Sequence, residues 1–226
     1  MKKTRFGAVN ALIFALMRVA GPANADSVYV GTGYPTLFNF GYAKPVQPGL
    51  NWRVEYATGL SIREDRTPSD DFNGPYAIKA HRLSLLADWY PFDGKFRLVG
   101  GVNYNDIKSS LNASGRSTFY VNSNLVDLTD KTLEMQIKYQ PLTPYMGLGW
   151  GSHQKTENPG LGFYSELGLS LGHFNVDVNA PGLVGSTHNG YTLTQTDIDA
   201  DAQKARDTAN KLKLLPNLSL GLVYRW

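Results

Sequence analysis

The sequence predicts an all-β chain: an eight-stranded antiparallel transmembrane β-barrel, an up-and-down meander with a short helix in its last long loop. Three observations carry this. Apolar and polar residues alternate through segment after segment, and the four tryptophans all fall at one end of the strands so defined. No stretch reaches the roughly 20 consecutive apolar residues that a membrane-crossing helix needs. A mean hydropathy of −0.28 does not contradict membrane insertion, because alternating strands average their two faces.

The carboxyl-terminal strand shows the pattern most clearly. Leu218, Leu220, Leu222, Tyr224 and Trp226 share one face, and Asn217, Ser219, Gly221, Val223 and Arg225 share the other, since strand side chains alternate with period two. An apolar face that closes on two aromatics suits a strand in contact with lipid. Ser219, Gly221, Tyr224 and Trp226 read polar-x-Gly-x-x-aromatic-x-aromatic. This resembles the terminal assembly signal of bacterial outer-membrane β-barrels, with Trp in place of the usual final Phe.

At the other end, Lys2, Lys3 and Arg5 precede a mostly apolar run from Ala8 to Met17, and Ala23-Asn24-Ala25 offers a small-x-small cleavage site. Residues 1–25 therefore read as an export signal and 26–226 as the barrel domain. The signal holds four of the 22 basic residues and none of the 19 acidic ones, so its removal takes the formal charge from +3 to −1. A nucleic-acid partner then has no electrostatic support. The chain has no Cys, and a closed barrel satisfies its own backbone without disulfides.

Alternation places strands at about 27–34, 36–44, 50–62, 78–91, 95–106, 132–151, 160–177 and 213–226. The third sets Trp52, Val54 and Tyr56 against Arg53, Glu55 and Ala57. Asp93-Gly94 is a strong hairpin dipeptide between the fourth and fifth. In 132–151 the apolar phase changes around Gln140-Pro141-Leu142-Thr143-Pro144, which means either a bulge in one strand or a turn between two. One bulged strand gives eight in total, with short connections at 45–49, 92–94 and 152–159 and long ones at 63–77, 107–131 and 178–212. Outer-membrane barrels have short periplasmic turns and long external loops. Trp52, Trp89, Trp150 and Trp226 then form an aromatic girdle at the periplasmic edge. The alternative merges 28–44 and splits 132–151; it also counts eight but puts the long loops in the periplasm.

Ala87-Asp88-Trp89-Tyr90-Pro91-Phe92-Asp93-Gly94-Lys95-Phe96-Arg97, Pro144-Tyr145-Met146-Gly147-Leu148-Gly149-Trp150-Gly151 and the closing strand resemble the small eight-stranded outer-membrane barrels of the OmpA and OmpW type. The resemblance implies export to the periplasm, handling by the barrel-assembly machinery, residence in the bacterial outer membrane among lipid and lipopolysaccharide, and a monomer. Its implied roles are structural, adhesive or a narrow conduit.

The inward faces collect Arg53, Arg82, Arg97 and Arg225 against Glu55, Asp88 and Glu166. An eight-stranded barrel is just wide enough inside for side chains, so these charges are expected to pair and plug the lumen. The alternatives are a narrow channel for small solutes, apolar ones included, and a lipid A-modifying enzyme. The enzyme has little support: His81 and Ser84 fall on opposite faces of a strand, and no His-x-Ser-Asn motif is present. The histidines lack metal-ligand spacing, and neither a metal nor any other cofactor is expected. In the last long connection Ile198, Ala202, Ala205, Ala209 and Leu212 recur at helical spacing. Acidic residues come first there and basic ones last, which complements a helix dipole. That helix is expected to rigidify the loop, or else to bind another surface or lipopolysaccharide.

Overall fold

The computed structural model describes residues 26–64, 72–73, 75–92, 94–115, 118–121, 124–127, 131–151, 159–180, 182–188 and 191–226. The predicted export signal and Asp93 of the hairpin dipeptide lie outside these. The chain forms a closed antiparallel barrel of eight staves. In order these are β1 (Ser27–Tyr34), β2 (Phe38–Gln47), β3 (Leu50–Glu64) and then, beyond the two-residue β4 (Phe72–Asn73), β5 (Tyr76–Trp89) and β6 (Phe96–Gly115). The small hairpin β7 (Thr118–Val121) and β8 (Asn124–Asp127) follows. The sixth stave consists of β9 (Thr132–Tyr139) and β10 (Leu142–Gly151), and the seventh of β11 (Gly160–Leu171) and β12 (Phe174–Asn179). After the short pair β13 (Thr187–His188) and β14 (Tyr191–Thr192) come helix α1 (Gln195–Lys211) and the last stave, β15 (Leu214–Arg225). Pairing of β1 with β15, from Ser27 opposite Arg225 to Tyr34 opposite Leu218, closes the ring.

Among the described residues no helix is long and apolar enough to cross a membrane. The strands present the apolar surface instead. Val30, Phe38, Leu83, Leu85, Val102, Leu148, Phe163, Leu167 and Leu220 are all exposed large apolar side chains on the outer wall, where a water-soluble protein would bury them. Along β6 this band runs from Phe96 to Tyr104, about 20 Å at 3.3 Å per residue and a 40° strand tilt. Trp89, Trp150 and Trp226 are exposed at one margin, and Trp52 joins them edge-to-face with Tyr42 at 5.8 Å. That margin carries the short turns after β2 and β5 and the last residue of the chain, and is termed the turn end; the opposite one is the loop end.

Two sequence expectations are corrected. The strands continue past the apolar band: β6 reaches Gly115 rather than about 106, β3 ends at Glu64, and β5 begins at Tyr76. Beyond Tyr104 and Leu83 their outward residues are His81, Lys79, Asp106 and Lys108. Lipid-type alternation stops there, but hydrogen-bonded pairing does not. The second correction concerns the phase change in 132–151, which is neither a turn nor a bulge against β6. Lys138 opposes Lys108 and Leu142 opposes Tyr104, the same offset on both sides of the change. Odd residues face inward throughout, and what inverts is the chemistry of the two faces. In β10 the outward residues meet the apolar band. In β9 the outward side carries Lys138, and the inward Met135 and Ile137 share a hollow with α1. Tyr139, just before the change, is 2% exposed and points inward, where its hydroxyl donates to the Ser170 carbonyl at 2.8 Å. The irregularity lies toward the seventh stave. The offset of Tyr139 opposite Phe174 differs by two residues from that of Tyr145 opposite Ser170, and Gln140 N–H bridges to the His173 carbonyl at 2.9 Å.

Candidate functional site in the barrel interior

Inward residues of β3, β5, β6 and β11 meet in one ion-pair cluster. Arg53, with no solvent exposure, donates from Nε to Asp88 Oδ1 at 3.0 Å and from Nη2 to Glu166, and its Nη1 lies 3.6 Å from Glu55 Oε2. Arg82 donates to Glu55 Oε1 at 2.9 Å and to Asn217. Arg97 donates to Glu166 Oε2 at 2.7 Å and approaches Asp88 Oδ1 at 3.7 Å. Three guanidinium groups therefore face three carboxylates. Arg225 is also buried on the inward face, at the end of β15, where it is the register partner of Ser27 and Gly160.

Sequence reasoning collected these charges but missed the neutral groups that join them. Tyr29 donates to Glu55 Oε2 at 3.1 Å, and Tyr145 donates to Glu166 Oε1 at 2.7 Å. Tyr164 donates to Asn39 Oδ1 at 3.1 Å and packs edge-to-face on Tyr29, ring centroids 5.2 Å apart. The guanidinium of Arg53 lies 5.7 Å from the Tyr29 centroid and that of Arg97 6.0 Å from that of Tyr164, both within cation–π range. Toward the loop end Ser170 Oγ accepts from Asn103 and Asn217, each at 2.9 Å, and Asn105 donates to Thr143 Oγ1 at 3.0 Å. Tyr29, Asn39, Arg53, Arg82, Arg97, Tyr145, Glu166 and Asn217 come one from each of the eight staves. Their signal in the sequence was parity: each falls on the face opposite the lipid-type residues, with glycine spacers such as Gly147 and Gly149 between them.

The loop end is closed differently. Helix α1 begins with a capping box: the Thr194 hydroxyl accepts from Asp197 N–H at 3.4 Å, and the Asp197 carboxylate accepts from Thr194 N–H at 3.0 Å. Ile198 is buried with Leu183 and Leu193, and Arg206 Nε donates to the Val176 carbonyl at 3.1 Å. Ala205, Ala209 and Leu212 line an apolar hollow of about 530 Å³ together with Met135, Ile137, Phe174 and Val176. The helix thus lies against the inner side of the wall that rises above the band.

His81 faces outward, its Nδ1 within 2.8 Å of Thr58 Oγ1 and 3.0 Å of Tyr56 Oη, whereas Ser84 is buried on the inward face. Among the described residues no group of three or more His, Cys, Asp and Glu side chains is placed to hold a metal ion. Ser219, Gly221, Tyr224 and Trp226 lie on β15 and at its end, with the Tyr224 and Trp226 rings stacked at 6.2 Å.

No protein-family model matches this chain, and no curated protein sequence matches it. Among solved structures it is similar to CarO of Acinetobacter baumannii, at 16% identity over 88% of this chain and 97% of that one, with a TM-score of 0.55. It is similar also to CarO2 of the same organism, at 17% identity over 89% and 98%, again with a TM-score of 0.55. A major outer membrane protein from Thermus thermophilus aligns over 90% of this chain and 100% of its own at 17% identity, with a TM-score of 0.44. The likeness to CarO and CarO2 shows a shared barrel fold.

Proposed function

We propose that this chain is an integral barrel of the bacterial outer membrane, with a structural or surface-interaction role, whose interior is closed by its own ion-pair network. The observation that carries the reading is the seating of Arg53: a fully buried guanidinium shared among Asp88, Glu166 and Glu55 on three different staves. Removing one partner of such a buried pair costs roughly 3–5 kcal/mol, so the network resists opening to a water-filled path. The exposed apolar band supports insertion in lipid, and closure of β1 on β15 leaves no unpaired edge within it. The long connections would face outside and the tryptophan margin the periplasm, following the loop asymmetry of outer-membrane barrels.

Conductance in a planar lipid bilayer tests this. The purified barrel is expected to give no steady ionic current. Large, stable single-channel currents would overturn the closed interior and favour a narrow channel.

A further inference from the structure

On the outer face of the tall wall, three lysines stand side by side. Lys79 on β5 is the register partner of Lys108 on β6, and Lys108 is the register partner of Lys138 on β9. Residues directly opposite on neighbouring strands project to the same side about 5 Å apart, and like charges so placed are destabilising. Three adjacent strands nevertheless carry a cation at the same level. Two carboxylates temper the row: Asp106 accepts from Lys79 and lies 3.3 Å from Lys108 Nζ, and Asp177 lies 3.6 Å from Lys138 Nζ. Arg63, exposed and opposite Ala77, adds a fourth cation on the same face. Among the described residues of this face, four positive groups thus stand with Asp106 and Asp177, and with Glu134 four residues beyond Lys138, and the lysine side chains are 40–48% exposed.

The height of the row matters as much as its charge. Tyr56, Leu83, Tyr104 and Leu142 are register partners in series and form the last apolar ring of the wall. Lys79 and Lys108 come four residues beyond Leu83 and Tyr104, about 10 Å above that ring for strands tilted by 40°. Polar headgroups occupy that layer, and lysine stems extend along apolar surface while keeping the ammonium in it.

We infer that Lys79, Lys108 and Lys138 form a binding row for the phosphate groups of lipopolysaccharide in the leaflet around the loop end. This rests on the outer-membrane reading above. The chemistry is that of a phosphate dianion shared between neighbouring ammonium groups, with Asp106 keeping two of them spaced and oriented while the site is empty. The row gives the barrel a preferred lipid contact on β5, β6 and β9. The opposite wall, β1 and β2, ends near the apolar band and has no such row.

The test is native mass spectrometry of the purified barrel released from detergent micelles, titrated with lipid A carrying both phosphates and, separately, with dephosphorylated lipid A. The expected result is one or more retained molecules of the phosphorylated lipid. Substituting all three lysines by Gln should weaken retention at least about tenfold, since each lysine near a charged lipid surface is worth roughly fivefold in affinity. An all-Arg replacement of the same three should keep it, and a control with Lys204, Lys211 and Lys213 changed to Gln should bind as the parent does. Heat-dependent gel mobility identifies folded protein in each case. Equal retention of dephosphorylated lipid A, unchanged retention by the Gln variant, loss in the Arg variant, or displacement by millimolar inorganic phosphate would each overturn the inference. The measurement is made in micelles and does not depend on orientation, so its failure is separable from failure of the outer-membrane reading, which whole-cell labelling decides.

Discussion

The guanidinium of Arg97 lies across the backbone of Gly149, its register partner on the neighbouring stave; a Cβ at Gly149 would stand 2.5 Å from Nε and 2.6 Å from Cζ. The absence of a side chain on β10 is therefore what lets a β6 arginine reach Glu166 on β11. Replacing Gly149 by Val should push Arg97 off the carboxylate while leaving the outward apolar face of β10 unchanged. A loss of roughly 2–4 kcal/mol is expected, because overpacking and a disrupted buried pair add. Urea unfolding in detergent, followed by gel mobility, reads it, and an unchanged midpoint would show that the interior repacks freely.

Glu166 takes hydrogen bonds from Arg53, Arg97 and Tyr145. Glu166→Gln preserves the shape but leaves two buried guanidiniums to share the remaining carboxylates. Stability should fall by roughly 3–5 kcal/mol. Tyr145→Phe removes one neutral donor to the same carboxylate and should cost only about 1–2 kcal/mol. If the two variants unfold at the same urea concentration, the cluster is not held together by charge.

Because the chain has no Cys, single cysteines report topology without background. A cysteine at Val184, which is half exposed in the last loop, should react with an impermeant maleimide added to whole cells, and one at Gly94 in the turn after β5 should not. The reverse pattern would place the long loops in the periplasm.

Trp226 stacks on Tyr224, and its backbone N–H donates to the Asp26 carbonyl at 3.2 Å, so the last residue helps to fasten the seam between the first and last staves. Deleting it should leave export intact and sharply lower the amount of heat-modifiable, folded barrel in the outer membrane. Normal folded levels would argue against a terminal assembly signal.

Removal of the helix cap separates loop from barrel. Thr194→Ala together with Asp197→Ala should cost about 1–2 kcal/mol locally. Hydrogen exchange across α1 should speed up while the barrel's urea midpoint stays within error. A coupled fall in both would mean that the helix supports the wall it lies against.

Legibility in the sequence followed solvent. Where a strand has an apolar outer face and a polar inner one, parity reads directly: Trp52, Trp89, Trp150 and Trp226 lie at one margin of the outer face, and Arg53, Glu55, Arg82, Asp88, Arg97 and Glu166 point inward. Where a strand rose into water the same rule misled. Outward residues are Lys79 and Asp106 there and inward ones Met135, Ile137 and Phe174, so the sequence pattern ended β6 nine residues early and gave β9 a change of phase. The inward tyrosines were illegible for a related reason. Tyr29, Tyr145 and Tyr164 are amphipathic, a type that occurs on both faces, and the glycines on neighbouring strands against which their rings lie, Gly41, Gly168 and Gly221, mark the space they fill.

The barrel is also unequal in height. β1 and β2 are joined across residues 35–37 at the level of the apolar band, whereas β3, β5, β6 and β9 run well beyond it. The mouth is therefore cut obliquely, like a scoop with one high side. The outward cations Lys79, Lys108 and Lys138 stand on that high side, so the rim is lopsided in charge as well as in height.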